Sequence, residues 1–439
     1  MGSHVRSALP WLALAGALGL IAAAILVPLS TGWDVHARSA RYPMSRTLPP
    51  WHGEWMPRLG PGTAPALLLA VLGIGYGPAL ARRLGNGALL LASYAGALCW
   101  LLALATVDGT DGLSRVLGHR SEYLRTARSV TDIGALLHTY VARIPLDAPD
   151  HWPVHVAGHP PGMVLFFVGL DRIGLGGDLA AGVVVTAVAA SIAPAVLLTL
   201  RILGEETTAR RVAPFVVLTP AAVTMAVSAD AVMAAVAAWA MVCLALATRP
   251  TRWAVAWALS SGLLFGCLVM MSYGLPVFGV VALGLLAGRR SWRPLVPCAL
   301  AAAAVVLGFA VAGFAWWEAF PVLVDRYWAG IATQRPASYW VWGNVAVLLA
   351  TAGPLVSAGL ARAPDLPRAS RAITLAAVTA ITLASISMMS KAEVERIWLP
   401  FVPWLTLSVA ALPDRWLRWG LALQVATALL VEHLVATFW

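Results

Sequence analysis

The polar interval from Asp108 to Gly162 concentrates the side chains that can move a proton or hold a ligand. It contains five of the nine histidines: His119, His138, His151, His155 and His159. Asp108 and Asp111 open it directly after an apolar run. A carboxylate at a membrane boundary is partly desolvated, which raises its pKa toward the range useful for a general base. Two within four residues suggest more than chance. The run Asp-Gly-Thr-Asp-Gly also suits an ordinary turn at a helix end. Glu122, Tyr123 and Trp152 share the interval as candidate substrate-binding groups, and the indole suits a sugar face or the membrane interface. His151, His155 and His159 recur every fourth residue, a spacing that aligns metal ligands on a helix. Pro153, Pro160 and Pro161 break such a helix, so hydrogen bonding by His155 and His159 is the preferred reading. No metal ligand set is assigned, and a divalent cation is left open.

Three further places carry chemistry. Asp230 sits at a helix-to-helix turn, where Ser228 would serve equally well as a cap. Arg326 and Arg335 share a polar interval with Tyr327, Trp328, Tyr339, Trp340 and Trp342. Most of those aromatics read as an interfacial belt; Arg335, before Pro336, is a candidate anion ligand. The stretch Ser390–Pro403 reads SKAEVERIWLPFVP and holds Lys391, the sole lysine, with Glu393, Glu395 and Arg396. A guanidinium grips a phosphate with two parallel bonds, and an ammonium adds a second point charge. The plainer alternative is a salt-bridged loop whose side chains snorkel.

These groups need a scaffold, and the composition says which kind. The 439 residues are 60% hydrophobic and 11% charged. Soluble domains carry about 25% charged residues, so the chain reads as a membrane protein. Spans of roughly 20 apolar residues fall near 8–29, 63–81, 87–107, 178–200, 213–228, 230–247, 253–271, 274–287, 295–316, 341–360, 372–389, 397–412 and 417–437. The expected fold is all-α and polytopic, with about thirteen spans and a long outer loop carrying short helices. Residues 163–175 are too short to cross and read as a half-inserted or surface helix. Met1–His4 is assigned no function, and the first apolar run reads as a retained span. Cys99, Cys243, Cys267 and Cys298 lie in apolar runs without ligand spacing and read as packing residues.

Placing the N-terminus in the cytoplasm puts Arg82/Arg83, Arg201/Arg210/Arg211, Arg249/Arg252, Arg289/Arg290/Arg293, Arg362/Arg368/Arg371 and Arg415/Arg418 in interior loops, as the positive-inside rule asks. Arg38, Arg41, Arg46 and Arg58 run against that scheme, since interval 30–62 falls outside. The formal charge of +10 thus reflects short membrane loops. A protein that grips nucleic acid needs a continuous basic face, and arginines clustered in short loops argue against such a partner. The outer face collects 108–162, Ser228–Asp230, 317–340 and 390–396. Chemistry there is extracytoplasmic, where nucleotide-sugars are scarce, which favours a lipid-carried donor.

The order and spacing of these motifs resemble the GT-C superfamily of membrane glycosyltransferases, which includes the protein O-mannosyltransferases and the lipid A aminoarabinose transferases. An acidic residue after an early span is followed about fifty residues later by His-Pro-Pro, here Asp108/Asp111 and His159-Pro160-Pro161. Arg396-Ile397-Trp398-Leu399-Pro400-Phe401-Val402-Pro403 is similar to the late arginine–aromatic–proline motif. Pro220 and Asp230 resemble the intermediate turn. The resemblance covers roughly 87–403. It departs in having Asp-x-x-Asp for an adjacent acidic pair, two spans before the loop, and no large outer C-terminal domain.

What the resemblance implies is transfer of a sugar, with inversion, from a polyprenyl-phosphate donor to a glycan, lipid or protein acceptor of the cell envelope. Mannose and arabinofuranose are guesses from the class. Asp111 or Asp108 would be the base, Asp111 preferred because it lies further out. Arg396, with Lys391 and Arg335, would bind the donor phosphate. His155, His159, Asp230, Glu122, Tyr123 and Trp152 would bind substrate, and no cofactor is certain. Residues 1–86 would form two N-terminal spans, 87–250 the catalytic module, and 251–439 the C-terminal helices. The rival class is a transporter or flippase of lipid-linked glycans. Such proteins show inverted repeats and midplane charges; here the ionisable residues gather at one face and no repeat is visible.

Overall fold

A computed structural model describes residues 3–37 and 47–437; Arg38, Arg41 and Arg46 lie outside the described residues. The protein is a multi-pass helical membrane protein. Seven helices are long and apolar enough to cross a bilayer: Ser7–Thr31, Thr63–Arg83, Asn86–Asp108, Asp178–Ile202, Ala229–Ala247, Ala254–Met271 and Arg368–Ile386. Leu295–Val311 and Trp316–Ala329 make an eighth if the pair, bent by 78°, is one span. At about 1.5 Å rise per residue, each matches a hydrocarbon layer of about 30 Å.

The sequence-based expectation of about thirteen spans exceeds this count, and breakers in the chain explain the difference. The 213–228 run stops as a helix at Val217 and resumes only as the turn Ala222–Met225, around Pro220. The 341–360 run divides into Ala337–Ala352 and Leu355–Leu360 at Gly353-Pro354. Gly353 has φ +90, and a Cβ there would lie 1.2 Å from Gln424 Oε1, so the break is built in. Pro400 and Pro403 cut 397–412 into the short turns Leu399–Phe401, Val402–Thr406 and Leu407–Ala411. Run 274–287 starts as a 3₁₀ turn, Leu275–Phe278, before Gly279–Arg289. The last helix, Arg415–Leu434, is long but carries Arg415, Arg418 and Glu432.

The core lies around Ala229–Ala247. Of its apolar stretch 78% is buried in protein, against 22% for Ser7–Thr31. Its small side chains let the helices Ile192–Ile202 and Ala254–Met271 approach closely. Residues 108–162 carry only short helices: Asp111–Ser114, Tyr123–Ser129, Ile133–Thr139 and Val154–Ala157. The helix Gly162–Arg172 follows; it buries Met163, Val164, Phe167 and Val168 against Tyr123–Ser129 and Ala254–Met271. One face is thus packed on protein, while Gly169, Arg172, Ile173 and Leu175 on the expected surface segment 163–175 are exposed.

Bonds between loops sort them into two sets. On one side, Gly53–Trp55 pairs antiparallel with Val435–Thr437, Trp340 Nε1 donates to Val35 O, and the His52 amide donates to Glu395. On the other, Arg210 binds the carbonyls of Ala81 and Leu84, Arg211 that of Ala410, Arg249 that of Ile202, and Arg368 that of Ala287.

Candidate functional site

The first side holds the buried charges. Ala392 and Glu393 adopt consecutive left-handed conformations, φ 68° and 63°. They turn the chain so that Val394–Ile397 forms one helical turn beneath the loops of this side. Arg396 on that turn is only 6% exposed. Its Nε lies 3.1 Å from Asp230 Oδ2 and its NH1 3.3 Å from Glu122 Oε1. Its NH2 lies 3.3 Å from His155 Nε2. Asp230 is set by the Ser228 cap, whose Oγ accepts from the Asp230 amide at 3.1 Å. The residue before that cap, Val227, is β-branched and sits at φ 61°, a costly conformation. Three residues held in left-handed backbone thus flank one guanidinium, and strain of this kind is retained where surrounding structure imposes it, often at functional sites.

His155 links the cluster. Its Nδ1 is 2.6 Å from Glu122 Oε1. Arginine can only donate, so Nε2 accepts from Arg396 and Nδ1–H donates to Glu122; the tautomer follows from the partners. Burial alone would raise the Glu122 pKa, but His155 and Arg396 overcome it and hold the carboxyl down at about 2. Burial likewise disfavours the Arg396 charge, and Asp230, Glu122 and Glu393 outweigh it, raising its pKa. His159 is lowered by burial, against the pull of Asp230. Its Nδ1 meets His155 O at 2.9 Å, and its ring stands edge-on to Tyr123, which stacks on Phe167. Tyr140 Oη, 2.8 Å from Val156 O and 3.0 Å from His159 O, pins this segment from behind.

A second group adjoins the first. Arg335 donates from Nε to His36 O at 3.1 Å, from NH1 to Lys391 O, and from NH2 to Glu393 Oε1 at 3.2 Å. Lys391 Nζ donates to Ala332 O and Arg335 O and lies 4.8 Å above the Trp328 ring. Both cations therefore act as struts on backbone carbonyls. Burial raises the Glu393 carboxyl, but His52, Arg335 and Arg396 bring it down to about 2. Glu395, fully buried, is pushed up to about 7 by that burial, and its Oε2 has no partner among the described residues. Tyr339 and Trp340 are buried clamps on Ala24 O and Val35 O, where an interfacial belt was expected.

The structure thus brings together Arg396, Glu122, His155, Asp230, Tyr123 and His159, with Arg335 and Lys391 beside them. The two aspartates have other surroundings. Asp108 Oδ1 is 2.8 Å from Arg58 Nε and its Oδ2 3.2 Å from Arg115 NH2. Arg58 also holds Glu432 at 2.8 Å. Asp111 is exposed at the start of the turn Asp111–Ser114. Trp152 is buried, with the Arg143 guanidinium 3.4 Å from its ring centroid and Tyr140 against it; its faces are occupied and offer no platform for a sugar. His151 is exposed and does not converge with His155 and His159. Among the described residues no three His, Cys, Asp or Glu side chains are grouped to hold a metal ion.

Sequence reasoning assigned no role to interval 30–62, yet His52 and Arg58 come from it. A signal existed: Arg58 is one of the arginines at odds with the orientation rule, and it is explained by pairing with Asp108 and Glu432. Fold and site together define a multi-pass helical membrane protein with a buried arginine–carboxylate–imidazole cluster at one end. No family model, no curated protein and no solved structure matches the chain.

Proposed function

We propose that the protein is a membrane glycosyltransferase that moves a sugar, with inversion, from a polyprenyl phosphate to an extracytoplasmic acceptor. The observation that carries this reading is Arg396: a buried guanidinium on a strained turn, held by Glu122, Asp230 and His155. Its neighbours along the chain supply the GT-C-like motif, and His159-Pro160-Pro161 lies against the same cluster.

Arg396 binds the donor phosphate in this proposal. Two carboxylates on one guanidinium leave a local negative charge, so a phosphate enters with compensation. The proton taken from the acceptor hydroxyl supplies it, held on His155 with Glu122 stabilising the imidazolium; a divalent cation is the other means. As the phosphate takes over part of the Arg396 fork, His155 and Glu122 are released to accept the proton of the acceptor hydroxyl. The hydroxyl oxygen bonds to the anomeric carbon, and the bond to the phosphate oxygen breaks with its electron pair. Arg396 stabilises the charge that gathers on the leaving phosphate. No second carboxylic acid is required, unlike glycoside hydrolysis. The Glu122–His155 pair touches Arg396 directly and is favoured as the base over Asp108, which is tied to Arg58 and Arg115. Asp111 remains the base that the resemblance implies.

The finer topology belongs to the same proposal: N-terminus in the cytoplasm and the Arg396 cluster outside. Pairing of Gly53–Trp55 with Val435–Thr437 supports an odd number of crossings, since both then lie on the outer side. In a background without native cysteines, single cysteines at Ser114 and Ser390 should both react with an impermeant maleimide on intact cells; labelling of only one breaks this topology. The activity is tested by incubating purified protein with polyprenyl-phosphate mannose or arabinofuranose and a glycan acceptor. The expected products are free polyprenyl phosphate and an inverted glycoside. Vectorial movement of intact lipid-linked glycan without cleavage would instead establish the flippase.

A further inference from the structure

The opposite end of the molecule has a built cleft that glycosyl transfer does not use. A cleft of about 150 Å³ opens between the end of the Thr63–Arg83 helix, the Glu206–Val217 helix and the start of Arg415–Leu434. Arg82, Arg210 and Arg211 line it against one carboxylate, Asp414. Arg210 and Arg211 are fixed: Arg210 by the Ala81 and Leu84 carbonyls and Glu206, Arg211 by Ala410 O and Asp414. Arg82 differs. It is exposed, and its guanidinium has no partner among the described residues. The wall is apolar, built from Pro78, Phe215 and Leu417. On the face of the Thr63–Arg83 helix that carries Pro78 and Arg82 it continues into Val71 and Leu67, both exposed large side chains on a lipid-crossing segment.

We infer that this cleft binds the headgroup of an anionic diacyl phospholipid from the adjoining leaflet. The phosphate charge meets the arginines, and an acyl chain runs along the exposed face of the Thr63–Arg83 helix. Asp414 pairs with Arg211 and Glu206 with Arg210, so Arg82 leaves the cleft with a net positive charge, which favours an anion. The continuous apolar wall favours a lipid over a free phosphate. Basic pockets between spans commonly hold such headgroups.

The test uses full-length protein in detergent, titrated separately with phosphatidylglycerol, phosphatidylcholine and inorganic phosphate, and read by native mass spectrometry and by Tm. Phosphatidylglycerol should stay bound and raise Tm, while phosphatidylcholine and inorganic phosphate should not. Arg82→Glu should weaken phosphatidylglycerol retention by about fivefold or more, the effect of one basic residue against an anionic lipid. The Arg82 side chain makes no bond in the cleft, and its carbonyl, which accepts from Arg210, is kept in the variant, so the variant should fold. Arg293→Glu, an exposed change in another arginine loop, should leave retention unchanged. Equal retention of the two lipids, equal loss in both variants, or full competition by inorganic phosphate would each overturn the inference.

Discussion

Arg396 and Arg210 each engage several acceptors, yet the acceptors differ in kind. Arg210 closes the end of the Thr63–Arg83 helix, binding the Ala81 and Leu84 carbonyls at 2.7 and 2.8 Å and Asn86 Oδ1 at 2.7 Å. Those carbonyls are among the orphans every helix end leaves, and the positive charge suits the helix dipole there. They cannot turn away, so Arg210 has a structural task. Arg396 reaches Asp230, Glu122 and His155, side chains from three separate segments. Side chains can rotate, so this guanidinium can be handed to a ligand. Acceptor mobility distinguishes the two arginines where bond number does not.

The largest effect that would break this comparison is at Arg396. Arg396→Ala should lower kcat/KM for the lipid-linked donor by about a thousandfold with membrane insertion intact, and Arg396→Lys should keep partial activity, charge without the fork. Arg210→Ala should do the reverse. It should cost about 1–3 kcal/mol of stability, seen as a lower Tm, while turnover per folded molecule stays near the parent's. Loss of turnover in Arg210→Ala at an unchanged Tm would erase the distinction.

Next in size is the proton acceptor. His155→Gln and Glu122→Gln should each lower kcat by about a hundredfold, with a smaller change in KM, and Asp111→Asn should retain most activity. An inactive Asp111→Asn beside an active His155→Gln would move the base to the aspartate.

The smallest effect is on pH dependence. Glu395 has a folded pKa near 7 against an ordinary value of 4.5. The folded chain holds this proton more tightly than the unfolded chain does. Stability from this group is full below about pH 4.5, falls as pH rises to about 7, and is level above that. Glu395→Gln should remove that fall in a Tm-against-pH series; an identical fall in the variant would assign the titration to another group.

Much of this architecture is legible in composition and breakers. Long apolar runs announced the seven helices, and Arg396, Asp230, Glu122, His155 and His159 were each suspected from residue type and place. What hydropathy could not separate is an apolar segment buried by protein from one facing lipid. The turns after Pro220 and around Pro400 are as apolar as true spans, yet the protein covers them on all sides. Nor could spacing reveal that Arg335 and Lys391 would be taken up by carbonyls, or that Asp108 would find Arg58. Those outcomes depend on contacts between segments 50 to 299 residues apart.

A structure of the protein with bound polyprenyl phosphate tests the role of Arg396 most directly. The phosphate should lie within hydrogen-bond reach of the Arg396 guanidinium, with Glu122 or Asp230 displaced from it. A phosphate held by Arg58 and Arg115 near Asp108, with Arg396 still closed on its carboxylates, would contradict the assignment.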